Sequence, residues 1–352
     1  MPRGQRLDPG IFNLPVDKMR AGYYSDKYFV RAREVLEADG HHPRVVMQVF
    51  GKTAAYLGGI DEAIAILKLC ADPWDDLAVH ALYDGDEVRP WETVMTIEGP
   101  YDAFAPLETL YLGVLARRTR VGTNTRRVVD AARPKEVMFF PARHDHWLVQ
   151  TGDGYAAHIA GAIGVSTDAQ ASWWGSEGVG TVPHAIIAAY GGDTVLATRK
   201  FAAYVPPSAR LISLVDFDND CVGTSLAVAR VLGERLYGVR LDTSETIVDR
   251  SVIPQMGSFK PTGVTPRLVH NVRTALDAEG FRDVKIIVSG GFDVEKIRSF
   301  EEEGVPVDAY GVGSSLFRGR FDFTADVVLV EGKPCAKVGR EYRPNPRLER
   351  VT

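Results

Sequence analysis

ARLISLVDFDNDCVGTSLAVARVLGERLYGVRLDT (209–243) decides the fold class. Its ends, ARLISLVDF (209–217) and YGVRLDT (237–243), are short apolar, β-branched runs, each finished by a carboxylate. Between them VGTSLAVARVLGERL (222–236) has the apolar spacing of a helix. A strand, a helix and a second nearly all-apolar strand form the repeat unit of a parallel sheet covered by helices. The rhythm extends outward to strands at EVMFFPAR (136–143), GTVPH (180–184), DVKIIVSGG (283–291) and VDAYGVGS (307–314), and to a helix at TPRLVHNVRTALDAEG (265–280). The number of strands favours a full or partial βα-barrel. Polar residues or glycines close nearly every strand: Arg143, His184, Asp216, Asp242, Gly290, Gly291 and Gly311 to Ser314. In a βα-barrel these ends converge on one mouth, where chemistry is done.

Before residue 133 the character differs. VVMQVFGKTAAYLG (45–58) reads as a strand and a turn, IDEAIAILKLC (60–70) as a helix, and EVRPWETVMTIEGPYDAF (87–104) as broken strands. PLETLYLGVLARRTRVGTNTRRVVDAA (106–132) reads as helix, polar interruption and helix. The expected organisation is an N-terminal α+β domain over 1–132, an irregular βα-barrel over 133–320, and a tail over 321–352. The tail alternates like a strand around VVLVEGKPCAKVG and is expected to pack back on the first domain, because a lone hairpin is marginal in water.

Composition narrows the function. Apolar residues make up 45% and charged residues 25%, the balance of a soluble globular chain. A formal charge of −5 does not suit a protein that coats nucleic acid or an anionic membrane, so any anion site is local. Cys70, Cys221 and Cys335 are far apart, which argues against a disulfide framework and against a cysteine-bound zinc. The start, MPRGQRLDPGIFNLP, lacks the apolar core of a signal peptide, and no apolar run is long enough to span a bilayer. A cytoplasmic setting is expected.

Five motifs carry the chemistry. VSGGFD (288–293) and YGVGSSLF (310–317) supply two glycine turns after consecutive late strands, where backbone N–H groups can cradle a phosphate; the alternative is a pair of ordinary tight turns. In GVRLDT (238–243), Arg240 and Asp242 alternate to the same side, able to hold an anion and sugar hydroxyls, or simply to pair with each other. In GTVPHAII (180–187), His184 precedes a strand ending in Asp216, so an acid on one ring nitrogen would leave the other free as base or nucleophile. In FFPARHDHW (139–147), Phe140 can stack on a flat ring and Arg143 can fork onto a carboxylate. His144 and His146 lack a third ligand, so no metal site is expected. RRTRVGTNTRR (117–127) is a solvated basic helix face or an anion clamp.

Taken in order with AGYYSDKYF (21–29), FFPARH, LVDFDND, SGGFD and GVGSSL, these segments resemble nicotinate phosphoribosyltransferase, a type II phosphoribosyltransferase related to the quinolinate enzymes. The resemblance spans almost the whole chain, from about Asp17 to the tail. It implies transfer of phosphoribose from phosphoribosyl pyrophosphate to nicotinate, giving nicotinate mononucleotide and pyrophosphate for NAD synthesis. It also implies Mg²⁺ with the phosphates, ATP as a co-substrate that phosphorylates a histidine, and a homodimer with shared active sites. By motif, His184 is that histidine, Asp216 its orienting acid, and Asp242 the carboxylate beside the reacting sugar carbon. Tyr28 and Arg126 are the residues lent to the partner's site. Phe140 stacks on the pyridine, Arg143 meets its carboxylate, Arg240 holds the ribose and its anionic groups, and Gly290, Gly291, Gly313 and Ser314 cradle the 5′-phosphate. Quinolinate and nicotinamide are the alternative substrates. Asp168, in VSTDAQAS (165–172), is an acid that could meet an amide. A non-catalytic binder of phosphorylated metabolites is the reading from a different class; it would need the glycine turns but not the His184–Asp216 combination.

Overall fold

The computed structural model describes residues 5–206 and 209–351. The chain forms two compact units, Met1–Asn124 with Tyr155–Ala160 and Phe317–Thr352, and Thr125–Gly154 with Gly161–Leu316. These limits lie eight and four residues before the expected 132/133 and 320/321, and the short return at 155–160 carries no mark in the sequence.

The first unit is built on a six-stranded antiparallel sheet in the order Lys333–Pro334, Phe323–Val330, Arg44–Gly51, Thr93–Pro100, Ala78–Ala81, Glu349–Arg350. Tail residues thus hydrogen-bond to Arg44–Gly51 and to Ala78–Ala81. The helix Ile60–Cys70 is apolar on nearly every side and is buried accordingly, with Ile60, Ile66 and Leu67 in a core shared with Val49, Ile97, Phe104 and Tyr111.

The expected break within 106–132 is absent, because Glu108–Ala132 is one continuous helix. Its polar run is satisfied locally. The Thr119 hydroxyl donates to the Gly58 carbonyl at 3.1 Å and accepts from the Gly58 N–H at 3.1 Å. Thr123 does the same for Tyr56, at 3.2 and 3.0 Å. Two threonines one turn apart therefore complete the backbone hydrogen bonding of the 56–58 segment. The approach requires glycine, since a β-carbon at Gly58 would come 2.9 Å from the Arg118 carbonyl. Arg118 pairs with Glu62 at 2.8 Å, both side chains only 11% exposed. Arg118→Ala, which strands a buried carboxylate, is expected to cost about 3–5 kcal/mol, and Glu62→Gln with Arg118→Met should recover most of it. Urea unfolding checks this; an unchanged midpoint in the single variant contradicts it.

The second unit contains a curled sheet of six parallel strands in the order Gly164–Val165, Glu136–Phe139, Ala309–Val312, Lys285–Val288, Gly238–Leu241, Ile212–Leu214. Between the outermost strands runs the segment expected as a strand at 180–184. It forms no ladder. The Val179 N–H donates to Val165 at 2.7 Å and the Val182 N–H to Ile212 at 3.0 Å, while Gly178, Gly180 and Pro183 interrupt regular pairing. Helices cover the strands, and several begin where the sequence supplies a cap. Asp220 accepts from the Gly223 N–H, Thr265 from Leu268 and Asp293 from Lys296.

Candidate functional site

In a parallel sheet all carboxyl ends lie along one edge, so the residues just past each strand become neighbours. Asp216 lies two positions past Leu214, Asp242 follows Leu241, Ser289 follows Val288 and Phe140 follows Phe139. His184 starts the helix His184–Ala189 after the irregular segment.

Two groups of contacts form along this edge, one joining His184 to Asp216 and one centred on Arg240. His184 Nε2 lies 2.9 Å from Asp216 Oδ1. Arg240 donates through Nε to the Ser289 hydroxyl at 2.8 Å and through Nη1 to the Thr181 hydroxyl at 3.2 Å. The Ser289 hydroxyl in turn donates to Asp242 Oδ1 at 2.6 Å, and Arg240 Nη2 stands 3.3 Å from Asp242 Oδ2. The Arg240 guanidinium also lies 5.0 Å from the centre of the Phe140 ring. That ring rests on Gly311, where a β-carbon would come 2.3 Å from Phe140 Cε2.

Burial pushes the Asp216 carboxyl above its ordinary value; His184 pulls it back and the nearby charge of Asp242 raises it further. The His184 side chain is 45% exposed while that of Asp216 is 8% exposed. A buried acid thus orients an accessible imidazole and leaves Nδ1 turned to other chemistry.

The glycine turns adjoin this group. Gly290 and Gly291 have φ of +83° and +67°, which only glycine adopts without strain. A β-carbon at Gly290 would come 3.4 Å from Asp242 Oδ1, so the turn begins beside that acid. Lys296 Nζ donates to the Gly290 carbonyl at 3.3 Å and lies 4.2 Å from the Phe292 ring centre. At the second turn a β-carbon on Gly313 would come 3.0 Å from the His144 ring, and Ser314 is exposed.

Other expected site residues stand apart from the hydrogen-bonded group. Arg143 ends the turn Pro141–Arg143, is exposed, and has no hydrogen-bond or ion-pair partner among the described residues. Arg126 pairs with Asp130 at 2.9 Å. Tyr28 belongs to the first unit, on the helix Lys27–Asp39, where it is 63% exposed. Asp168 accepts from the Gly178 N–H at 2.9 Å, a turn-forming role. His146 accepts from the Leu148 N–H, and among the described residues no cluster of three or more His, Cys, Asp or Glu is placed to hold a metal ion. Ser289, Thr181, His144 and Lys296 were not expected. The first three lie inside the motifs VSGGFD, GTVPHAII and FFPARHDHW, whereas Lys296 lies outside them, three residues after the helix-capping Asp293.

A cavity of about 570 Å³ lies at the opposite, amino-terminal ends of the same strands, lined by Glu136, Gly164, Ile212, Lys285 and Ala309 among others. It is remote from the constellation, since these residues begin the strands whose far ends carry Asp242 and Ser289. Among the described residues no helix is long and apolar enough to cross a membrane.

Comparison with known proteins agrees with this geometry. Residues 26–119 match the family described as quinolinate phosphoribosyl transferase, N-terminal domain. Nicotinate phosphoribosyltransferase pncB1 of Mycobacterium tuberculosis is 31% identical over 372 residues, an alignment covering 94% of this chain and 78% of that protein. Among solved structures, a nicotinate-nucleotide pyrophosphorylase from Pyrococcus furiosus superposes with a TM-score of 0.82 at 33% identity, covering 96% of this chain and 85% of the other. Human nicotinic acid phosphoribosyltransferase superposes with a TM-score of 0.68 at 16% identity, covering 90% and 77%, and so shares the fold. With a curated relative above 30% identity matched along most of both chains, this chain belongs to the nicotinate phosphoribosyltransferase family.

Proposed function

We propose that the chain transfers the phosphoribosyl group of phosphoribosyl pyrophosphate to nicotinate. The observation that carries this reading is the linked set Phe140–Arg240–Ser289–Asp242, with Asp216–His184 at the same strand ends and a glycine turn against Asp242. The pyridine nitrogen attacks C1′ of the ribose, and the C1′–O bond breaks with its electron pair leaving on pyrophosphate. Positive charge builds on the sugar and ends on the pyridinium. Asp242, held by two donors, stabilises that charge as it develops. Arg240 gives the leaving or ring-bearing anion a fixed cation, and Phe140 presents a ring for stacking.

The same reading takes the parallel sheet as an irregular barrel bridged by 179–182, with the tail belonging to the first domain. It places the enzyme in the cytoplasm as a homodimer, with Tyr28 and Arg126 serving the partner's site. Mg²⁺ fits as a metal brought by its phosphates, because the mouth offers hard carboxylate oxygens on Asp216 and Asp242 but, among the described residues, no closed ligand cage. Bound there, it would neutralise the departing pyrophosphate. ATP coupling through His184 rests on the accessible imidazole and its buried acid.

The deciding experiment is turnover on nicotinate, nicotinamide and quinolinate, each with the sugar donor, with and without ATP and Mg²⁺. Nicotinate should be used best. Release of CO₂ from quinolinate at a higher kcat/KM would replace this reading with that of the decarboxylating enzyme. Arg143 is expected to fork onto the nicotinate carboxylate, so Arg143→Ala should raise the nicotinate KM about 10- to 100-fold and leave the donor KM within a factor of about three. An unchanged nicotinate KM removes Arg143 from the site.

A further inference from the structure

The first glycine turn holds an acid of the protein's own. A β-carbon at Gly291 would come 1.7 Å from Glu245 Oε1, so this carboxylate rests directly on the Gly291 backbone. Glu245 lies in the loop after Asp242 and is exposed, so its side chain is free to swing away. On the same turn, Lys296 donates to the Gly290 carbonyl, and among the described residues it has no ion-pair partner. Its ammonium lies over the Phe292 ring, half out of water. Burial lowers its pKa, Glu245 acts against that, and Lys260 adds a like charge from the same loop region. A half-buried cation and a glycine turn thus adjoin one displaceable carboxylate, with Lys260 and Asp293 adding charges of opposite sign around Lys296, a setting that suits a phosphate dianion better than a single negative charge.

We propose that Glu245 is a placeholder anion on the phosphate seat of the sugar donor, and that Lys296 is the cation to which the incoming 5′-phosphate is handed. The inference rests on the phosphoribosyl-transfer reading for its ligand, a phosphate monoester on a ribose. The donor must displace Glu245, so the carboxylate lowers donor affinity and excludes stray anions with a single charge.

The test is equilibrium binding of ribose 5-phosphate to the full chain, with no turnover required, so that a wrong pyridine substrate does not obscure it. Glu245→Gln should tighten binding about three- to fivefold, the size of an exposed charge contact removed. Lys296→Met should weaken it about 10- to 100-fold, the loss of a charge-assisted hydrogen bond. In the Lys296→Met background, Glu245→Gln should bring less gain than in the wild type, because the two groups act on each other. Lys296→Arg should restore most of the affinity and guards against a packing defect over Phe292. Unchanged or weaker binding by Glu245→Gln, or undiminished binding by Lys296→Met, overturns the proposal. Tight ribose 5-phosphate binding that follows this pattern in a protein inactive on nicotinate would uphold it and reject the proposed substrate instead.

Discussion

Asp242→Asn should lower kcat by about 10²- to 10³-fold and leave the KM of phosphoribosyl pyrophosphate within a factor of about three. The amide matches the carboxylate in size and keeps one oxygen acceptor, so Ser289 retains its hydrogen bond, while Arg240 loses the Oδ2 contact but keeps its bonds to Ser289 and Thr181. On the proposed reading, what disappears is a full negative charge facing the sugar carbon as it becomes electron-poor. That interaction is stronger in the transition state than with bound substrate, so its loss appears in kcat. A purely structural ion pair predicts otherwise. If Asp242 only holds Arg240 in place, neutralising it frees the guanidinium, and the loss appears in donor KM with kcat nearly intact. Steady-state kinetics at saturating nicotinate separate the outcomes. Asp242→Glu gives a second view, since it keeps the charge and displaces it, and should retain more kcat than the amide does.

The features legible in the sequence are those whose cause is periodic. Apolar strands ending in Asp216, Asp242 and Gly290 mark the carboxyl edge of the sheet, because a buried strand must be apolar and a site must be polar. From that alternation the His184–Asp216 and Arg240–Asp242 pairs could be proposed, and both are in place. The hydroxyl links were not legible. Ser289 and Thr181 become partners of Arg240 only because the curled sheet brings residues 181, 240 and 289 together, and a short hydroxyl has no spacing signature. The helix Glu108–Ala132 misleads for a related reason. Its threonines and arginines read as a solvated interruption, yet Thr119, Thr123 and Arg118 are turned inward to backbone groups and to Glu62. Buried polar residues that satisfy one another look like surface until their partners are known. Lys296 falls between these cases. Its distance from the Asp293 cap sets it one turn into a helix, but the reach of its ammonium to Gly290 is a fact of three dimensions.

His184→Ala should abolish stimulation by ATP and leave slow, ATP-independent synthesis of the nucleotide. The separation follows from geometry: Asp242, Arg240 and Phe140 make their contacts with one another, with Ser289 and with Thr181, and none of these bonds passes through His184. With Nε2 on Asp216, the imidazole presents Nδ1 to a phosphoryl donor, and the acid stabilises the charge that forms on the ring. Asp216 must be ionised for this. Burial holds its pKa above the ordinary carboxylate value, so on acidification it takes up a proton earlier than an exposed aspartate would, and ATP stimulation should fade over that higher range while basal turnover persists. The stability linkage has the opposite slope. A raised native pKa means the folded protein binds the proton more tightly, so the stability tied to this group is present below the usual carboxylate range and is lost as pH rises through the raised value. Asp216→Asn should remove that loss at higher pH and abolish the ATP response at every pH. Rate–pH profiles with and without ATP, read beside thermal unfolding at the same pH values, test both slopes. Equal and complete loss of the two activities in His184→Ala would assign the imidazole to the transfer step itself and detach it from energy coupling.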